Sequence, residues 1–157
     1  MGSLVAQQVA LRAPERLERL VLIAAGTNGI SEGVRQLQEA VEMLSDPVPE
    51  EFAREFQVST IYYPVREDFQ DQVVAESLKL TARVWREALS GILAVDYGNQ
   101  LSSIAIPTLA LWGERDTVFS QVAQEAFELG LTNSVLSVLK VSRDWTRASL
   151  GKTGTVR

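Results

Sequence analysis

Apolar and polar positions recur along the chain with two different periods, and the changes of period divide it. Leu4, Val5, Val9 and Leu11 form an apolar stripe that predicts a helix from Gly2 to Arg12. Ala13-Pro14 stops it, because proline offers no amide and clashes with the preceding turn. Leu20-Val21-Leu22-Ile23-Ala24-Ala25 is an unbroken apolar run between charged residues and Gly26, the pattern of a parallel strand covered on both faces. The period then becomes helical. Val34, Leu37, Val41 and Leu44 precede a break at Asp46-Pro47-Val48-Pro49, and Glu50-Glu51 open a short helix through Phe52 and Phe56. After a loop at Tyr62-Tyr63-Pro64, the stretch from Val73 to Leu93 carries one or two more helices, with Leu78, Ala82, Trp85 and Leu89 on a common face.

Strand patterning returns at Thr108-Leu109-Ala110-Leu111-Trp112-Gly113, followed by polar Glu114-Arg115-Asp116. Ser120 is placed to cap a helix through Ala126 and Phe127 that frays near Gly130. Val135 to Val141 reads as a third strand. Helix, buried strand and a second sheet segment make an α/β chain of about three parallel strands with flanking helices and an all-helical insertion. Residues 1–27 and 101–142 are expected to form its core and 28–100 a helical cap or lid. Residues 143–157 lack apolar periodicity and are expected to be a loosely ordered basic tail.

Composition narrows the function classes. The chain has 157 residues, 46% hydrophobic and 22% charged, which suits one domain, or a domain with a small lid. Fifteen basic against twenty acidic side chains give a net charge of −5, which argues against nucleic acid or an anionic membrane as partner. No apolar run approaches the roughly 20 residues of a membrane span, and no signal peptide is visible, so the expected location is cytoplasmic. There is no glycine-rich phosphate loop and no metal-ligand spacing; neither a cofactor nor a metal is expected. There is also no cysteine and no histidine. Alone, the chain therefore cannot run a Ser-His-acid or Cys-His mechanism.

Two stretches resemble the α/β-hydrolase fold family. Met1-Gly2-Ser3 with Ala6, then Ala13-Pro14-Glu15-Arg16-Leu17 and Leu20-Val21-Leu22, look like the helix, link and strand that follow the nucleophile elbow of lid-bearing serine hydrolases. Ile106-Pro107-Thr108-Leu109 and Trp112-Gly113-Glu114-Arg115-Asp116 look like the family segment whose final aspartate is the catalytic acid. The resemblance covers about residues 1–141 and implies a partial α/β-hydrolase fold beginning just after the nucleophilic serine. It makes Asp116 the triad acid and puts the Met1 backbone at an oxyanion-hole position. The family expects Gly-His after the last strand, where Ser142-Arg143-Asp144-Trp145 stand instead.

Each site residue also has a plain structural reading. Asp116 fits a loop aspartate that caps a turn or pairs with Arg115. Ser3 as a substitute nucleophile lacks a base at a suggestive spacing, and close packing is its better account. Asp96-Tyr97 resembles the return from lid to core, a structural role. Phe52, Phe56, Tyr62, Tyr63, Phe69 and Trp85 would line an apolar substrate pocket in an intact enzyme, or build the lid's own core, which is favoured for most of them.

The expected function is thus a fragment of a hydrolase acting on an ester, lactone or similar small acyl substrate by serine acyl transfer. The isolated chain should be inactive, because serine and histidine are missing from the triad. The alternative is a non-catalytic binding module or an inert remnant of the fold. In the intact parent the partner is a small apolar acyl substrate. In this chain, residues 20–25 would be an unpaired apolar edge able to form a homodimer.

Overall fold

In the computed structural model, residues 1–116 and 118–139 are described; the expected basic tail and the end of the third strand lie outside them. Three strands form one parallel sheet in the order β1-β2-β3: β1 is Leu20–Ile23, β2 is Thr108–Gly113 and β3 is Ser134–Leu139. The first helix, α1 (Gly2–Arg12), precedes β1, and α6 (Gln121–Gly130) joins β2 to β3. Between β1 and β2 run four helices: α2 (Glu32–Glu42), α3 (Glu50–Ser59), α4 (Glu67–Ser77) and α5 (Ala82–Leu93). A 3₁₀ segment, Gly98–Ser103, leads back into the sheet.

A sheet wound in one direction carries its right-handed crossovers on a single face. Accordingly, Leu4 and Ala10 of α1, Leu101 of the 3₁₀ segment, and Phe127 of α6 with the adjoining Leu131 all pack in one cluster with Leu20, Leu22 and Ala110. Among the described residues, the opposite face has no such cover. In register across it lie Val21, Leu109 and Val135, then Ile23, Leu111 and Ser137, with Leu139 beside Gly113. Val21 is 54% exposed, Ile23 65% and Val135 61%. The apolar run at 20–25 is therefore not covered on both faces; it alternates between buried and exposed, and β-structure stops at Ile23. Ala24 follows with φ of 48°, a left-handed conformation that costs a residue with a Cβ and ends the strand.

The stripe expected on α1 is also corrected. Leu4, Gln7 and Ala10 face inward, while Val5 and Val9 are exposed. Gln7 replaces an apolar contact because its amide donates to carbonyls at both ends of its reach, Ser3 (3.2 Å) and Gly26 (3.0 Å).

The helical insertion has contacts of its own. Trp85 is met edge-on by Phe52 (5.2 Å between centroids) and Phe56 (5.0 Å). Asp46 caps α5 by accepting from the Ala82 amide (2.7 Å), and Arg86 donates to the Leu44 carbonyl (2.9 Å). Tyr62, Tyr63 and Phe69 stay exposed, so half of the aromatic set expected in a lid core is outside it. The acidic pairs Glu50-Glu51 and Glu67-Asp68 occupy the first turns of α3 and α4, where the helix dipole favours negative charge.

Candidate functional site

The carboxyl ends of β1 and β2 are neighbours in the sheet, since Ile23 pairs with Leu111. In open α/β sheets this end carries the ligand sites. Both residues singled out by the resemblance lie here. Met1 sits at the start of α1, beside Ile23 and Ala24, and Asp116 follows the end of β2.

The turn at Asp116 is built by its own side chain. The Asp116 amide donates to the Gly113 carbonyl (2.9 Å), which folds Glu114-Arg115 outward. Its Oδ1 then accepts from the amides of Val118 (2.8 Å) and Phe119 (3.0 Å). This fixes the carboxylate plane and leaves Oδ2 free of both bonds, on a half-buried side chain. The turn-capping role is therefore real, and among the described residues Asp116 makes no ion pair with Arg115. Capping with one oxygen does not compete with presenting the other.

The same turn is wedged against the end of β1. The Phe119 ring lies so close to Gly26 that a Cβ there would stand 2.3 Å from it, and the Phe119 carbonyl accepts from the Trp112 indole (2.8 Å). Two buried glutamines hold the strand exit. Gln7 of α1 donates to the Gly26 carbonyl, and Gln124 of α6 donates to the Ala25 carbonyl. Each leaves its amide oxygen buried without a partner. Nothing in the apolar patterning marked these glutamines; a polar residue at a buried helical position was the available signal. Ser120, in contrast, caps α6 as predicted, accepting from the Ala123 amide (3.3 Å).

Beside β1 opens a groove of about 410 Å³ lined by Met1, Gly2, Ser3, Ala6, Val21, Ile23 and Ala24. Asp116 is not part of its lining, so the structure brings Met1 and Asp116 to one end of the sheet but not into one cavity. The Met1 carbonyl accepts from the Leu4 (2.9 Å) and Val5 (3.2 Å) amides, which opens α1. Ser3 has no acidic, basic or phenolic side chain beside it in the groove that could serve as a base.

The helical insertion leaves and rejoins the core at one neck. Asn28 and Asp96 form an antiparallel bridge, with the Asn28 amide donating to Asp96 Oδ2 (3.2 Å). The Tyr97 amide donates to the Thr27 carbonyl (2.8 Å), and its hydroxyl donates to Gln8 Oε1 (2.6 Å). Asp96-Tyr97 thus has the structural role expected of it, tying the returning chain to α1. On the insertion's surface, the hydrogen bonds that the Arg54 guanidinium donates to Glu50 and then to Asp71 hold it above its ordinary pKa. Among the described residues no group of three or more acidic side chains could hold a metal ion, and no helix is long and apolar enough to cross a membrane.

A family model described as "Serine aminopeptidase, S33" matches residues 1–139. The chain belongs to this family. Its fold is accordingly the α/β-hydrolase fold, present in part. A "2-hydroxy-6-oxononadienedioate/2-hydroxy-6-oxononatrienedioate hydrolase 1" of Pseudomonas putida is 26% identical over 94% of this chain and 55% of its own length. A hydrolase of the same description from Burkholderia vietnamiensis is 30% identical over 74% of this chain and 43% of its own length. Among solved structures, a hydrolase from Pseudomonas aeruginosa PA01 superposes with a TM-score of 0.73 at 24% identity, over 87% of this chain and 52% of the other. The enol-lactonase from Burkholderia xenovorans LB400 gives a TM-score of 0.66 at 16% identity, over 88% and 54%. These two likenesses establish the fold. The S33-family chain spans about half the length of the curated relatives it matches.

Proposed function

We propose that this chain forms the acid-bearing half of a hydrolase site for an ester, lactone or similar small acyl substrate, with residues 28–100 as its lid. The reaction would be serine acyl transfer: attack on the carbonyl, stabilisation of the oxyanion, and release of the acyl group to water. Asp116 would accept a hydrogen bond from a catalytic histidine, fixing its tautomer and stabilising the imidazolium. The Met1 backbone would stand at the oxyanion-hole position. The observation that carries this proposal is the Asp116 turn. Its Oδ1 is engaged by two amides and its Oδ2 accepts no hydrogen bond from the described residues, just after a parallel strand. The relatives' printed names, a dioate hydrolase and an enol-lactonase, support a small carbonyl substrate.

The 157 residues contain no histidine, so the chain alone should be catalytically silent. Purified protein with a chromogenic short-chain ester should show neither burst nor turnover; robust turnover abolished by Asp116→Ala would overturn this. The role of Asp116 is tested in a chimera in which residues 1–139 replace the matching segment of the P. putida relative. Asp116→Asn keeps the turn's acceptor oxygen but should lower kcat by about 10⁴-fold. An undiminished rate removes Asp116 from the triad. The absence of histidine also favours a second reading, a non-catalytic module on the same fold, for which chimera and variant would be equally inactive.

A further inference from the structure

Building on the reading of Asp116 as the triad acid, we propose that Gln124 is its positioning residue, fixing the aspartate turn relative to the exit of β1 through the bond to the Ala25 carbonyl. The need for such a bond begins in the backbone. The Ala24 amide donates to the Leu111 carbonyl of β2 (2.9 Å), and a φ of 48° at Ala24 then turns the chain out of the ladder. The next two residues, Ala25 and Gly26, are buried, so their carbonyls require donors from elsewhere. Gln124 supplies one and Gln7 the other (3.0 Å). A leucine at position 124 would fill the same buried space but remove the donor to Ala25.

The place of Gln124 in α6 links this bond to the aspartate. Its own amide donates to the Ser120 carbonyl (3.0 Å), closing the first turn of the helix. The residue before Ser120 is Phe119, whose amide donates to Asp116 Oδ1 (3.0 Å) and whose ring lies against Gly26. The contacts thus close a circuit from Asp116 through Phe119 and the first turn of α6 to Gln124, then through Ala25 and Gly26 back to Phe119. The Trp112 indole ties this circuit to β2 at the Phe119 carbonyl (2.8 Å), and Gln124 ties it to β1. Ala24, one residue before Ala25, lines the same groove as Met1. The bond from Gln124 therefore sets the offset between the Asp116 carboxylate and the Met1 end of the site. A misplacement of about 1 Å between groups held on separate supports can cost on the order of 10²-fold in rate.

Gln124→Met keeps the volume and removes the donor. In the 157-residue chain, hydrogen exchange of the Val118 and Phe119 amides, both bonded to Asp116 Oδ1, should quicken by about tenfold or more, while the amides of β2 keep their wild-type rates. Gln7→Met removes the same kind of bond from α1 and should leave the Val118 and Phe119 amides as they are. In the chimera with the P. putida relative, Gln124→Met should lower kcat by roughly ten- to a hundredfold with KM within about twofold of the parent, because the bond acts on the acid and not on the substrate. Gln124→Asn, one methylene shorter, should give the same pattern and serves if Gln124→Met does not fold. Val118 and Phe119 amides that stay protected, that loosen only together with β2, or that loosen equally in Gln7→Met make Gln124 a support of the fold alone and overturn the proposal. In the chimera, a low rate in Asp116→Asn beside a full rate in Gln124→Met overturns the proposal and leaves Asp116 in the triad; full rates in both overturn the triad reading as well.

Discussion

The two faces of the sheet are chemically alike and structurally opposite. Leu20, Leu22 and Ala110 on one face are buried under Phe127, Leu131 and Leu101; Val21, Leu109 and Val135 on the other are exposed. Hydrophobicity alone does not explain the difference, because adjacent residues of the same run have opposite fates. Topology does. With strand order β1-β2-β3, both right-handed returns pass over the same side, so the covering helices among the described residues lie on one face.

Substitutions can grade that asymmetry. The largest effect is expected at Phe127, fully buried at the centre of the cover: Phe127→Ala should cost about 3–5 kcal/mol in denaturant unfolding. A cost near zero would mean that α6 does not hold the sheet. At the upper rim, Gly26→Ala would drive a Cβ into the Phe119 ring and should cost about 1–3 kcal/mol. The accompanying chemical-shift changes should centre on Val118, Phe119 and the Asp116 turn. Loosening the cover without touching the core is a smaller perturbation. Ser120→Ala removes the cap of α6 and should cost about 1 kcal/mol, seen as a lower unfolding midpoint with an unchanged m-value. The smallest effect belongs to the bare face. In dilute protein, Ile23→Thr should shift stability by less than about 0.5 kcal/mol, and a loss comparable to Phe127→Ala would show that the face is covered after all.

Much of this was legible in the residues. Unbroken apolar runs and β-branched residues located all three strands, and the helical period located α2, α3 and α5. Ser120 as a cap and Asp116 beyond a strand end followed from residue chemistry at known positions. The choice between sheet faces was not legible. Alternation marks two sets of side chains but not which one receives helices, and that depends on the order and handedness of distant connections. The stripe on α1 failed for a related reason. Val5 and Val9 are apolar yet outward, while Gln7 is buried by the carbonyls it serves. Tyr62, Tyr63 and Phe69 are large enough for a core but fall in a loop and at a helix start that present them to solvent.

The neck formed by Thr27-Asn28 and Asp96-Tyr97 has a consequence for how such a chain can vary. Asn28 and Asp96 are 68 positions apart in sequence yet directly bonded, so the intervening helices hang from one closed point. The entropy of closing a loop grows only with the logarithm of its length, so lengthening or shortening what hangs there costs the sheet little. The register of β1 against β2 is set below the neck and is insulated from such edits. The neck is the natural joint for exchanging one helical insertion for another while the scaffold beneath it stays the same.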